Sequence, residues 1–223
     1  MLGKIFVTRW SGWRQFARDF LVIQFGFVLF AISIDIMVQA GLGTSPWVVL
    51  EKGLTLHVPI TLGQATILVA VVVTLLDVLL RQPLGWGTIA NMLSIGVWVD
   101  WLKPFVPAAP LAWWIRVPYL LLAVLVMGFA TAVYVGVNAG AGPRDSLMLA
   151  VSRLGKVSVR VARTSIEIGV VLVGWLLGGP VGVGTLLFAL SIGPAVQLAF
   201  RLLRVRPLQP VEAAPLLPIA DEP

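Results

Sequence analysis

Apolar residues run along this chain in long blocks, not in the period-two alternation of a membrane barrel strand or the one-sided stripe of a soluble helix. Six blocks approach the roughly 20 residues that a helix rising about 1.5 Å per residue needs to cross a hydrocarbon core of about 30 Å. They predict spans at residues 19–40, 61–80, 85–102, 112–138, 160–178 and 183–203. Ahead of the first block, Phe6, Trp10 and Trp13 fall at helical spacing with Arg9, Arg14 and Arg18 elsewhere, so residues 1–18 read as a cytoplasmic helix lying in the membrane interface. Behind the last, residues 205–223 are rich in proline and acid and predict a disordered cytoplasmic tail.

Two parts of this pattern recur. FAISIDIMVQAGLG at 30–43 resembles FATAVYVGVNAGAG at 129–142 at an offset of 99, which sets Asp35 opposite Tyr134 and Gln39 opposite Asn138. QPLGWGTIANMLSIG, ending at Gly96, matches GPVGVGTLLFALSIG, ending at Gly193, at an offset of 97. The matches include Pro, Gly, Ser and Thr, so they are not the generic likeness of apolar helices. Residues 19–103 and 112–204 therefore read as two copies of a three-span unit, and an odd number of spans makes the second copy enter the membrane from the opposite side. The fold class expected is all-α: a polytopic membrane protein with six transmembrane helices as a 3+3 inverted repeat. Secondary transporters use such repeats and seat their solutes near the midplane between them, although channels share the device.

Charge then orients the chain. Hydrophobic residues make up 59% and charged residues 12%, against about half and a quarter in soluble domains. The net charge of +6 does not point to nucleic acid, because the basic residues gather at the ends of the apolar blocks. With the N-terminus inside, thirteen of the sixteen Lys and Arg fall on the cytoplasmic side, leaving Lys52, Lys103 and Arg116 outside, which predicts cytoplasmic termini. The N-terminus lacks a cleavage signal, so the first span should stay attached. Cysteine is absent, His57 is the single imidazole, and no metal-ligand spacing, triad or phosphate loop is present; neither a cofactor nor an enzymatic activity is expected.

The candidate chemistry sits where each repeat turns. After the first span, glycines lead into Thr44, Ser45 and Pro46 and a segment ending near His57; after the fourth, Pro143, Arg144, Asp145 and Ser146 begin one ending near Gly155. Ten or eleven helical residues cover only about 16 Å, so these are two short half-helices, either re-entrant or lying in the interface. Ser45 suits an N-cap and Pro46 the first helical position. If re-entrant, their N–H ends meet and suit an anion or carboxylate. Arg144 can hold an anionic solute group or a lipid phosphate, or anchor topology, and Asp145 can cap its helix. Arg163 and Glu167 stand four apart and can pair, as a clasp or as part of the site. Asp35 can be a protonatable carboxylate coupling proton movement to transport, or hydrate at the interface. Gln39 and Asn138 can line a cavity or bond the loops. Asp77, Arg81 and Asp100 fall near span ends, where solvation is expected, and Pro194 should kink the last span.

GLGTSPW (41–47), TLGQ (61–64), GWGT (85–88), GPRDSLM (142–148), SVRVARTSIE (158–167), VGVGT (181–185) and LSIGP (190–194) resemble the bacterial YczE/YyaS/YitT family of small membrane proteins, in particular its YczE-like branch. The likeness runs from about Phe27 to Arg201 and implies a multi-pass protein of the bacterial inner membrane. The family's GARDG-like turn reads here Gly142-Pro143-Arg144-Asp145-Ser146, keeping the Arg-Asp pair with altered flanks. The function expected is secondary transport or export of a small, anionic solute, with protons as a coupling ion and Asp35, Gln39, Thr44, Ser45, Asn138, Arg144, Asp145, Arg163 and Glu167 as site residues. A non-transporting scaffold for another complex is the alternative, or a channel or lipid-handling protein. Expected partners are the lipid bilayer, the solute and a second copy of the chain, and no nucleic acid.

Overall fold

A computed structural model describes residues 6–7, 12–108 and 112–205. These form eight α-helices: α1 (Trp13–Ala40), α2 (Pro46–Thr55), α3 (Leu62–Leu79), α4 (Trp86–Leu102), α5 (Trp113–Gly136), α6 (Pro143–Gly155), α7 (Val159–Leu176) and α8 (Val183–Leu202). A 3-10 turn, Lys103–Phe105, follows α4, and β1 (Phe6–Val7) pairs in parallel with β2 (Leu84–Gly85). Apart from α1, which begins six residues ahead of the predicted span, the long helices start and stop within about two residues of the predicted spans, because the stops are local. Gly41 ends α1 in the left-handed conformation, Thr61 builds a capping box with Gln64 at the head of α3, Ser158 accepts from Val161 N–H at the head of α7, and Pro46 and Pro143 open the short helices.

Much of the interfacial helix expected over residues 1–18 lies outside the described residues. Residues 13–18 are the first turns of α1 and Phe6–Val7 is a strand, while the rest of that segment and the expected tail from 206 onward lie outside the described residues. Four helices, α1, α3, α5 and α8, are long and apolar enough to cross a membrane by length and composition. α4 is 17 residues long, and α7 carries Arg160, Arg163 and Glu167.

α2, α3 and α4 begin 97 residues before α6, α7 and α8 respectively. α3 and α7 share that spacing at both ends, and so do the positive-φ residues Gly41 and Asn138, Gly43 and Gly140, Arg81 and Gly178. Two bonds tie the halves reciprocally: Gly87 N–H donates to Ala139 C=O at 3.0 Å, and Gly184 N–H to Leu42 C=O at 2.7 Å. The offset of 99 read from the first sequence block thus does not hold at the turns. Asn138 takes the left-handed position of Gly41, which asparagine tolerates, and is not the counterpart of Gln39. Backbone crowding makes the glycines here necessary: a Cβ on Gly43 would press on Gly182 and Thr185, and one on Gly85 would overlap Ala139 C=O.

The core lies where α1 packs on α5, around Phe27, Ile34, Met37, Leu120 and Val124, with α4 against α1 and α8 against α5. The short helices cross between halves: α2 rests on α7 through Gly53 and Gly174, and α6 rests on α3. Outside this core the helices expose leucines and valines, for instance Leu68, Val72, Leu75 and Leu79 on α3 and Leu186, Leu190 and Leu198 on α8. Such apolar stripes are satisfied by lipid, not water.

Candidate solute site at the tips of the short helices

The first turns of α2 and α6 approach one cavity of about 130 Å³, to whose wall all eight helices contribute. Ser45 and Gly142 hold the N-cap positions, with no side-chain cap bond at either. Unused N–H groups and the positive end of each helix dipole therefore lie at the cavity.

Charge is concentrated between the two short helices. Arg144 on α6 reaches Glu51 on α2, its Nη2 donating to Oε1, and its guanidinium lies 4.9 Å from the centre of the Trp47 ring. Glu51 is fully buried, and its second oxygen accepts from Thr66 Oγ1 on α3 at 2.9 Å. A lone carboxylate there would be prohibitively costly, so the pair stands or falls together. Beside it, Tyr134 OH donates to Asp145 Oδ2 at 2.8 Å. On α7, Arg163 Nε donates to Glu167 Oε1 at 2.9 Å, with both side chains partly accessible. Phe30, Ile95, Met127, Phe188 and Ile192 supply apolar walls.

Of the residues expected to form the site, Ser45, Arg144, Asp145, Arg163 and Glu167 meet at this cavity. The others do not line it. Asp35 is buried on α1 with Oδ2 unpartnered among the described residues, and the charges bearing on it are Lys103, Asp100 and Lys52. Thr44 is buried in the glycine turn with its hydroxyl unpartnered among the described residues, and Gln39 is half-buried. Asn138 is exposed at its positive φ, so it serves the turn. Asp145 binds Tyr134 and does not cap α6, whose N-cap is Gly142. Asp77, expected to be solvated at a span end, is fully buried against α6 with both oxygens unpartnered among the described residues. Asp100 accepts from Thr61 Oγ1 and from Gly63 N–H, so it ties α4 to the head of α3.

Sequence reading missed Glu51, Thr66, Trp47 and Tyr134. Glu51 had one usable signal, an acid amid the apolar WVVL run of a short helix, but the adjacent Lys52 disguises it as a solvated pair. Among the described residues no group of three His, Cys, Asp or Glu side chains could hold a metal.

The chain matches a family described as "Family of unknown function (DUF6198)" over residues 17–201. It belongs to that family. A Haemophilus influenzae protein named "Uncharacterized protein" is 35% identical over 208 residues, 92% of this chain and 95% of its own length. Bacillus subtilis (strain 168) contributes two: "Uncharacterized membrane protein YczE", 31% identical over 75% of this chain and 79% of its own length, and "Uncharacterized protein YyaS", 26% identical over 73% and 82%. No solved structure matches. The DUF6198 chain is thus a YczE-like membrane protein whose apolar helices meet lipid, in keeping with the resemblance read from its motifs.

Proposed function

We propose that this DUF6198 chain is a secondary transporter that carries a small solute through the cavity between the short helices. In this reading α1, α3, α4, α5, α7 and α8 cross a bacterial inner membrane as two inverted three-helix repeats, α2 and α6 are re-entrant from opposite faces, and both termini are cytoplasmic. The 97-residue recurrence of the starts of three helices and of turn conformations supports the duplication, and the cytoplasmic bias of Lys and Arg supports the orientation. The observation that carries the reading is the meeting of two helix N-termini at one cavity with Arg144, the cation of a buried ion pair, in its wall, because buried charge without function is a burden in a membrane. No chemical step is assigned to the protein.

Under that topology α3 and α4 close the outer mouth through Gly63 and Gly96, while α7 and α8 contribute to the cavity wall without packing along their lengths. The conformer is then open to the cytoplasm, and its counterpart would part α3 from α4 and close α7 on α8.

Two measurements test this. The chain lacks cysteine, so a cysteine introduced at His57 should be labelled only from outside and one at Lys156 only from the cytoplasm; labelling from the same side ends the inverted model. Proteoliposomes should accumulate a carboxylate or other small solute when a pH gradient is imposed. Gradient-independent equilibration would instead indicate a channel, and no flux would favour a scaffold.

A further inference from the structure

Arg144 has two sides. One holds Glu51, which is fully buried and does not itself line the cavity; the other faces the cavity, where the remaining guanidinium donors carry no hydrogen bond among the described residues. A ligand can therefore reach Arg144 without displacing Glu51, but two negative groups would then share one cation in an enclosed space. Like charges at such range repel strongly, and a proton on one of them removes the conflict.

The surroundings of Glu51 suit that proton. Thr66 Oγ1 lies 2.9 Å from Glu51 Oε2 and 3.0 Å from the Leu62 carbonyl, and its single hydrogen can serve only one of them at a time. With Glu51 ionised, the hydroxyl donates to it. With Glu51 protonated, the hydroxyl turns to Leu62 C=O and accepts the new O–H. Both charge states of the carboxyl are thus hydrogen-bonded without moving the backbone. The other charged groups at the cavity are already engaged, Arg163 with Glu167 on α7 and Asp145 with Tyr134, while Arg144 from α6 is the charge that bears on Glu51.

We propose that Arg144 and Glu51 form a one-anion, one-proton site: a monocarboxylate with a compact apolar body binds Arg144 from the cavity as Glu51 takes up a proton from water. The charge balances in both states, an Arg–Glu pair before and an Arg–carboxylate pair with neutral Glu51 after. That balance selects a single negative charge, since a dianion would leave the enclosed site negative. Phe30, Ile95, Met127, Phe188 and Ile192 select an apolar body. This deepens the transporter reading and rests on its placement of the solute.

Benzoate is a suitable probe. Calorimetric titration of the full chain in detergent, repeated in buffers of different ionisation enthalpy, should show uptake of about one proton per benzoate, and an affinity that falls about tenfold for each unit rise in pH. Glu51→Gln, a neutral mimic of the protonated side chain, should keep binding and lose both the proton uptake and the pH dependence. Arg144→Gln should lose binding. Benzoate bound without a proton, retained pH dependence in Glu51→Gln, or no binding by the parent protein overturns the proposal. If Glu51→Gln does not fold, the proton count of the parent protein decides alone. Binding with proton uptake but no flux in vesicles would instead sink the transporter reading and leave the site standing.

Discussion

α3–α4 and α7–α8 occupy matching places in the two halves, yet only the first pair packs. Gly96 of α4 touches Gly63 of α3 so closely that a Cβ on either would overlap the other's carbonyl oxygen, and Asp100 clasps the head of α3 through Thr61 and Gly63. In the second half the same LSIG string places Gly193 in open space, the residue matching Gly63 is Arg160, and the residue matching Asp100 is Gln197. Ser158 caps α7 alone. Contact in these helix pairs is thus decided less by the shared glycine than by what the partner helix offers it. A small residue permits backbone approach, whereas a long cation wants water or headgroups at a membrane edge.

The largest effect is expected from cutting the charged tie through which the halves act on one another. Arg144→Ala leaves Glu51 buried without its cation and should cost about 3–5 kcal/mol at alkaline pH, and less at acidic pH where Glu51 takes up a proton, read as a loss of thermal stability in detergent. Adding Glu51→Leu should recover part of that loss, because the stranded carboxylate is then gone. If Arg144→Ala is harmless, the two short helices are not coupled as described.

Next in size is the pair of matched glycines. Gly96→Ala should destabilise by about 1–3 kcal/mol, since its methyl meets Gly63 C=O and Ile67. Gly193→Ala meets nothing within 4 Å and should be neutral or stabilising by up to about 1 kcal/mol through helix propensity. Equal effects from the two, measured by the same thermal unfolding, would show that α7 and α8 pack as α3 and α4 do. A smaller loss, about 1 kcal/mol, is expected for Thr61→Val, which removes the capping box and the hydroxyl that Asp100 holds.

How much of this was legible follows from how local each feature is. Helix bounds were readable because apolar blocks, Pro46, Pro143 and the turn glycines act within a few residues of themselves. The Arg163–Glu167 pair was readable for the same reason, lying one helical turn apart. Glu51 and Arg144 are 93 residues apart, and their meeting depends on α2 and α6 crossing between halves, which no local pattern encodes. Asp77 was misread because closeness to a helix end suggests water, and only the packing of α6 on α3 reveals its burial. Gln39 and Asn138 were paired by letter similarity, whereas the backbone equates Asn138 with Gly41 because both must adopt a left-handed turn.

The smallest expected effect tests the open side directly. Arg163 and Glu167 lie on α7 with their side chains 42% and 17% exposed, and no hydrogen bond or ion pair links them to α8 among the described residues. Half-exposed pairs of this spacing exchange water contacts for one another at little net gain, so Arg163→Ala should cost less than about 1 kcal/mol. Solute binding can change while stability does not, because Arg163 lines the cavity. A stability loss as large as that of Arg144→Ala would mean that Arg163 is enclosed between α7 and α8 in the working protein. The second helix pair would then be closed in its resting state, and the contrast with α3–α4 would vanish.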